Sequence, residues 1–143
     1  MTRNLRVFVD SNVLLSAARG GHSDFQEFWI LPGVDVLTSS YSINEVSRNL
    51  KAAHDRARLW NLIYRSHLVP DGAGIHLPEG IQLAAKDLPI LQSAVAGEAD
   101  VLVTGDRNHF EMHYGSLILG VRIESPRMFK SRYPQRFPSV EAQ

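Results

Sequence analysis

Four acids in this chain stand where carboxylates could act together: Asp10, Glu45, Asp87 and Asp106. Asp10 ends the run "LRVFVD", Asp106 follows "VLVTG", Glu45 lies in "SINEV", and Asp87 precedes "LPILQSAVAG". If the two apolar runs are parallel strands, Asp10 and Asp106 share the carboxyl rim of one sheet, where open α/β sheets bind their ligands. Two carboxylates at one rim repel unless a cation or a shared proton neutralises them. Oxygen donors with no nearby His or Cys suit Mg²⁺ or Mn²⁺ rather than zinc. Such an ion keeps several waters and leaves coordination positions for a substrate phosphate. It lowers the pKa of a bound water and stabilises a leaving oxygen. Hydrolysis of a nucleic-acid backbone is the reaction class to which this donor set points. Ser11, Asn12, Thr104 and Asn108 flank the acids with short groups able to bond a metal water or a phosphate.

Each acid also has an ordinary structural explanation. Ser42 and Glu45 have the S-x-x-E spacing of a capping box. Asp87 at a helix start is favoured by the macrodipole. Asp106 in "TGDRNH" reads as a turn residue after Gly105, and Asp10 as the cap of the first helix. All four being accidental is the weaker reading, because Asp10 gains little by ending a buried run. Asp24 and Asp100 read as loop or capping acids, Asp100 at the opposite end of the sheet.

The elements that must position these acids are legible in outline. "LRVFVD" is a continuous apolar run, which suits a parallel strand covered on both faces. "SNVLLSAARGG" reads as a helix stopped by glycine, and "SDFQEFWILPG" as a second helix ended by Pro32-Gly33. "VDVLTSS" is a strand, and "SINEVSRNLKAAHDRARLWNLIYRSH" is helical over most of its length, with Ile43, Val46, Leu50 and Ala53 at helical spacing. "HLVP" reads as a short strand and "DGAGIHLPEG" as a loop. "LPILQSAVAG" is a helix with Pro89 in its first turn, "DVLVTGD" and "GVRIESP" are strands, and "PRMFKSRY" is a terminal helix. Alternating strands and helices predict an α/β layered domain with a mostly parallel sheet of about five strands. Strand order does not follow from these patterns.

Bulk properties narrow the classes. The 143 residues suit one domain, placed at 1–133, with a polar tail at 134–143 that reads as disordered. There is no cysteine, which excludes disulfides and thiolate metal sites. No window approaches the ~18 apolar residues of a membrane span, and the start lacks a signal-peptide layout; a cytoplasmic protein without membrane contact is expected. Lys plus Arg equals Asp plus Glu at 15 each, so net charge does not decide for or against a nucleic-acid partner. Two basic runs do exist: Arg48, Lys51, Arg56, Arg58 and Arg65, and then Arg122, Arg127, Lys130, Arg132 and Arg136. Either could follow phosphates or be a solvated face.

"VFVDSNVLLSA", "INEV", "KDLPILQSAVAGEADVLVTGDRNHF" and "VRIESPRMF" together resemble the PIN-domain family, closest to its VapC-like toxin components of toxin–antitoxin pairs. The resemblance spans Arg6 to Phe129. It implies a three-layer α/β/α sandwich and a metal-dependent ribonuclease acting on single-stranded RNA. The family's acidic quartet falls on Asp10, Glu45, Asp87 and Asp106, which would be both catalytic and metal-binding with Mg²⁺ or Mn²⁺. Its small polar helpers fall on Ser11 or Asn12 and on Thr104. A cognate antitoxin and a homodimer are the implied partners. "PDGAGIHLPEG" has no counterpart in the family pattern.

Other classes fit less well. A PIN-like module that grips RNA or protein without cutting could use the basic runs and Trp60, Tyr64, Phe129 and Tyr133, yet a pure binder gains nothing from carboxylates that repel phosphate. These aromatics read better as core or dimer-surface residues. An aspartyl-nucleophile phosphatase would need an acid where Asn12 stands. His109 and His113 have the spacing of a helical zinc pair but no third ligand beside them.

Overall fold

The computed structural model describes residues 3–20, 23–105, 110 and 113–132. Asp106, Asn108, His109, Tyr133 and the 134–143 tail therefore lie outside the described residues. The first strand, β1 (Leu5–Val9), leads into α1 (Ser11–Arg19). A short helix α2 (Ser23–Gln26) and a 3-10 turn (Glu27–Trp29) precede β2 (Val34–Thr38). Next come α3 (Ser40–Asn49), α4 (Ala53–Tyr64) and β3 (His67–Leu68). After a long loop, α5 (Leu88–Ala96) is followed by β4 (Val101–Val103), β5 (Leu117–Ile118), β6 (Val121–Glu124) and α6 (Pro126–Arg132).

The strands form one sheet in the order β3-β2-β1-β4-β6-β5. Every neighbouring pair is parallel except the β5–β6 hairpin. The sheet thus holds six strands rather than about five, the addition being the two-residue β5. Val7, Phe8 and Val9 are fully buried, as a parallel strand covered on both faces requires. Phe8, Leu37, Leu102 and Ile123 pack under Ile90, Leu91 and Ala94 of α5. Val7, Val9, Val36, Val101 and Val103 pack on the other face against Phe28 and Phe129, whose rings stand 5.3 Å apart. On that second face α1 also packs on α3 and α4 through Leu14, Ala17, Val46, Leu59 and Leu62. The result is the expected α/β/α arrangement of three layers.

Three local expectations need correction. The stretch after β2 is two helices, because Leu50 is extended (φ −106°, ψ 122°) and the chain turns before Ala53. The Arg56 guanidinium donates to the carbonyls of Ser47 and Leu50, which caps the end of α3 and fixes the break. "SDFQEFW" is one helical turn followed by a 3-10 turn rather than a continuous helix. Lastly, α3 starts at Ser40, and the Ser39 hydroxyl accepts from the Ser42 amide. The cap is Ser39, so the supposed capping box of Ser42 and Glu45 does not form. Gly20 closes α1 in the left-handed region (φ 75°), where an added Cβ would also strike the Arg58 guanidinium.

Candidate functional site

The order of the sheet determines where a site can form. From β1 the chain moves outward to β2 and β3, then crosses to β4 on the other side of β1. The crevice at this reversal is the usual ligand position of an open parallel sheet, and Asp10 and Thr104 stand at the carboxyl ends of its two strands. The Asp10 amide donates to the Val103 carbonyl, which continues the ladder to the last residue. Its side chain is held at both oxygens. One accepts from the Ser11 amide at 2.6 Å, and the other from the Thr104 hydroxyl at 2.7 Å. Asp10 therefore is the cap of α1, as one simple reading had it, and at 6% exposure it also faces a cleft.

That cleft, about 200 Å³, is lined by Asp10, Ser11, Asn12, Leu15, Glu45, Val46, Asn49, Lys86 and Asp87. Three of the four acids singled out above reach it from three separate elements. Glu45 projects from the second turn of α3 and, with Ser39 as the cap, has no capping duty. Asp87 occupies the N-cap position of α5 but makes no side-chain capping bond there. The ordinary explanation for Glu45 is thereby removed, while Asp87 keeps the helix-start position that the macrodipole favours.

The helper residues divide. Thr104 is fully buried and bonds Asp10, while Tyr114 donates to the Thr104 carbonyl at 3.0 Å and steadies it from behind. The Asn12 side-chain oxygen accepts from the Gly105 amide at 3.1 Å, which ties the end of α1's first turn to the segment leading to residue 106. Ser11 lines the cleft, and its buried hydroxyl has no hydrogen-bond partner among the described residues. Asp100 lies at the far end of the sheet, paired with Arg3 and the Arg6 amide, as expected.

Residues that pattern reading passed over also belong here. Asn49 is four positions after Glu45, on the same helical face, and its amide donates to the Glu45 carbonyl. Lys86 immediately precedes Asp87 and brings a cation to the cleft's edge. Tyr41 is four positions before Glu45, and its hydroxyl donates to the Lys86 carbonyl at 2.8 Å. Burial raises the Tyr41 pKa, and the negative charges of Glu45, Asp87 and Asp10 raise it further, with Arg48 opposing. Helical spacing from Glu45 was the available signal for Asn49 and Tyr41.

The basic runs are partly structural. Arg58 donates to the Ala18 carbonyl and pairs with Asp55, while Lys130 pairs with Glu27 at 3.3 Å. Of the aromatics, Phe129 is core, whereas Trp60 and Tyr64 are exposed at 57% and 90%. His113 approaches the Gln82 carbonyl at 3.4 Å. Among the described residues, no helix is long and apolar enough to cross a membrane.

The donor set of the cleft is oxygen alone, the chemistry of a hard divalent ion. Among the described residues, no three His, Asp or Glu side chains stand close enough together to hold one ion.

No family model and no curated protein matches the sequence. The fold does have a solved counterpart: a chain in the crystal structure of VapBC2 from Rickettsia felis bound to a DNA fragment from their promoter. It superposes with a TM-score of 0.60 at 16% identity, covering 85% of this chain and 98% of that one. The likeness concerns the fold.

Proposed function

We propose that this chain is a Mg²⁺- or Mn²⁺-dependent endoribonuclease and the toxin of a toxin–antitoxin pair. One observation carries the reading: Asp10, Glu45 and Asp87, far apart in the chain, line a single cleft at the reversal point of a parallel sheet. The fold shared with a VapBC2 structure supports it, as does the sequence resemblance to VapC-like PIN domains. No more than two of Asp10, Glu45 and Asp87 would touch one ion directly, its other positions falling to Asp106, waters and substrate phosphate. When bound, that ion would supply an activated water and would stabilise the leaving oxygen of a phosphodiester.

The chain's own groups have separable tasks. Ser11 and Thr104 orient the Asp10 carboxylate through the donated N–H and O–H. Asn12 and the Ser11 hydroxyl offer a phosphate short-range polar contacts. Lys86, a solvated ammonium beside three carboxylates, attracts the polyanion that those carboxylates repel. The cognate antitoxin would mask this cleft, and a homodimer and a cytoplasmic location complete the proposed setting.

The test is cleavage of single-stranded RNA by purified protein with Mn²⁺, stopped by EDTA and restored by excess metal. Cleavage that persists in EDTA ends the metal-dependent reading. Tight RNA binding with no cleavage under any divalent ion would instead favour a binding module.

A further inference from the structure

A second hollow lies beside the acid cleft, about 260 Å³ in volume. Its walls are Ser39, Ser40 and Tyr41 at the start of α3, Val69, Asp71 and Ala73 in the loop after β3, and Pro89, Gln92 and Ser93 of α5. Tyr41 and the Lys86 carbonyl, joined by a hydrogen bond, form the partition between the two spaces. Asp87 belongs to the cleft, and Pro89, two residues on, belongs to the hollow. The hollow therefore adjoins the cleft across the Tyr41–Lys86 bond without sharing a lining residue with it.

Its lining has a definite chemistry. Val69, Ala73, Pro89 and the Tyr41 ring are apolar, the ionisable groups are Tyr41 and one carboxylate, Asp71, and no cation takes part. A phosphate is unwelcome there. A flat, neutral ring with hydrogen-bonding edges is not, because exposed Asp71, one of whose oxygens accepts from the Ala73 amide, and Ser40 stand at the margin, with Ser93 in the wall. The volume is below the ~300–1,000 Å³ of a typical small-molecule site, so it suits one ring system rather than a whole nucleotide. The wall is built rather than left over. The Gln92 amide donates to the Ile75 carbonyl at 2.9 Å, and a Cβ at Gly72 would run into the Gln92 carbonyl, so the loop is pressed on α5.

We infer that the hollow walled by Tyr41, Asp71, Pro89 and Ser93 is a nucleobase subsite, receiving the base next to the phosphate held in the acid cleft. The inference rests on the ribonuclease reading above. Single-stranded RNA is commonly read by bases splayed onto aromatic rings and hydrogen-bonded at their edges. Asp71, an acceptor, favours bases with an exocyclic amine over uracil. The loop that forms this wall is the "PDGAGIHLPEG" segment that matches no family pattern, so the base preference would be this chain's own.

The experiment compares cleavage of oligoribonucleotides varied one position at a time around the cut, including an abasic residue at each neighbouring position. Wild type is expected to cut about tenfold slower when the subsite position is uracil or abasic. Ser93→Leu, which fills the hollow, should bring the preferred substrate down to the abasic rate. Asp71→Ala, at an exposed position whose carboxylate accepts from the Ala73 amide, should remove the discrimination against uracil while amide resonances outside residues 71–73 stay in place. Wild-type cleavage indifferent to an abasic residue at either neighbouring position overturns the inference, as does full base preference in both folded variants. In parallel, labelled full-length protein is titrated with the four nucleoside monophosphates without metal, and its amide resonances are followed. If no RNA is cut, the nuclease reading fails, and shifts at residues 39–41, 71–73 and 92–93 still support the subsite. No shifts there and no cleavage overturn both.

Discussion

Two buried carboxylates stand at the same rim, at the ends of the strands on either side of β4, and they are treated oppositely. Asp10 closes β1 with both oxygens hydrogen-bonded and a cleft before it. Glu124 closes β6, in register with Val103 of β4, and is 0% exposed. Neither of its oxygens has a hydrogen-bond partner among the described residues, and the Arg132 guanidinium is 3.8 Å away. Burial raises the Glu124 pKa, with Arg132 and Arg122 opposing. The pair separates two meanings of a buried acid. One is held by two protein donors and opens on a cleft; the other is sealed in and pushed toward its neutral form.

The largest expected effect tests the first member of that pair. Asp10→Asn should lower RNA cleavage by about 10³-fold or more while the chain stays folded, checked by steady-state rates beside a circular-dichroism melt. Wild-type rates in the purified variant would erase the distinction between the two acids. Thr104→Val removes a donor to Asp10. It should reduce activity or metal affinity by about 10–100-fold and stability by about 1.5–3 kcal/mol, measured by calorimetric Mn²⁺ titration and denaturant unfolding.

Glu124→Gln sharpens the contrast from the other side. Because the folded chain binds this proton more readily than the unfolded chain does, the group's stabilising contribution is complete below the ordinary carboxylate range. It is lost as pH rises toward the raised value. The variant should melt a few degrees higher at pH 7–8, about 1 kcal/mol, with a flatter pH dependence and unaltered cleavage. A lower melting temperature at neutral pH would show that the charged form is favoured after all. The smallest effect belongs to Tyr41→Phe, which loses the bond to the Lys86 carbonyl. A stability change of about 0.5–1.5 kcal/mol is expected, together with a higher KM if the partition positions substrate.

Why one acid could be picked out beforehand and the other could not is a matter of local pattern. Asp10 breaks a continuous apolar run, and a charge there demands a reason. Glu124 stands in "VRIE" beside Arg122, with no unbroken apolar run to make its charge conspicuous. Only the packing of Phe129 and α6 against β6 buries it. The capping box at Ser42 and Glu45 failed for a similar reason. Serines at 39, 40 and 42 all satisfy cap chemistry, and the end of β2 selects Ser39.

The sequence by itself determined the alternation of elements, the buried parallel strands, the glycine stop of α1, the proline start of α5 and the acids worth watching. These depend on periodicity and on backbone preferences a few residues long. The tertiary structure decided the strand order, the reversal point between β1 and β4, the one cleft lined by Asp10, Glu45 and Asp87, and the company of Tyr41, Asn49 and Lys86. Those are contacts between residues tens of positions apart. They depend on which side of β1 each crossover takes, and no short stretch of side chains encodes that.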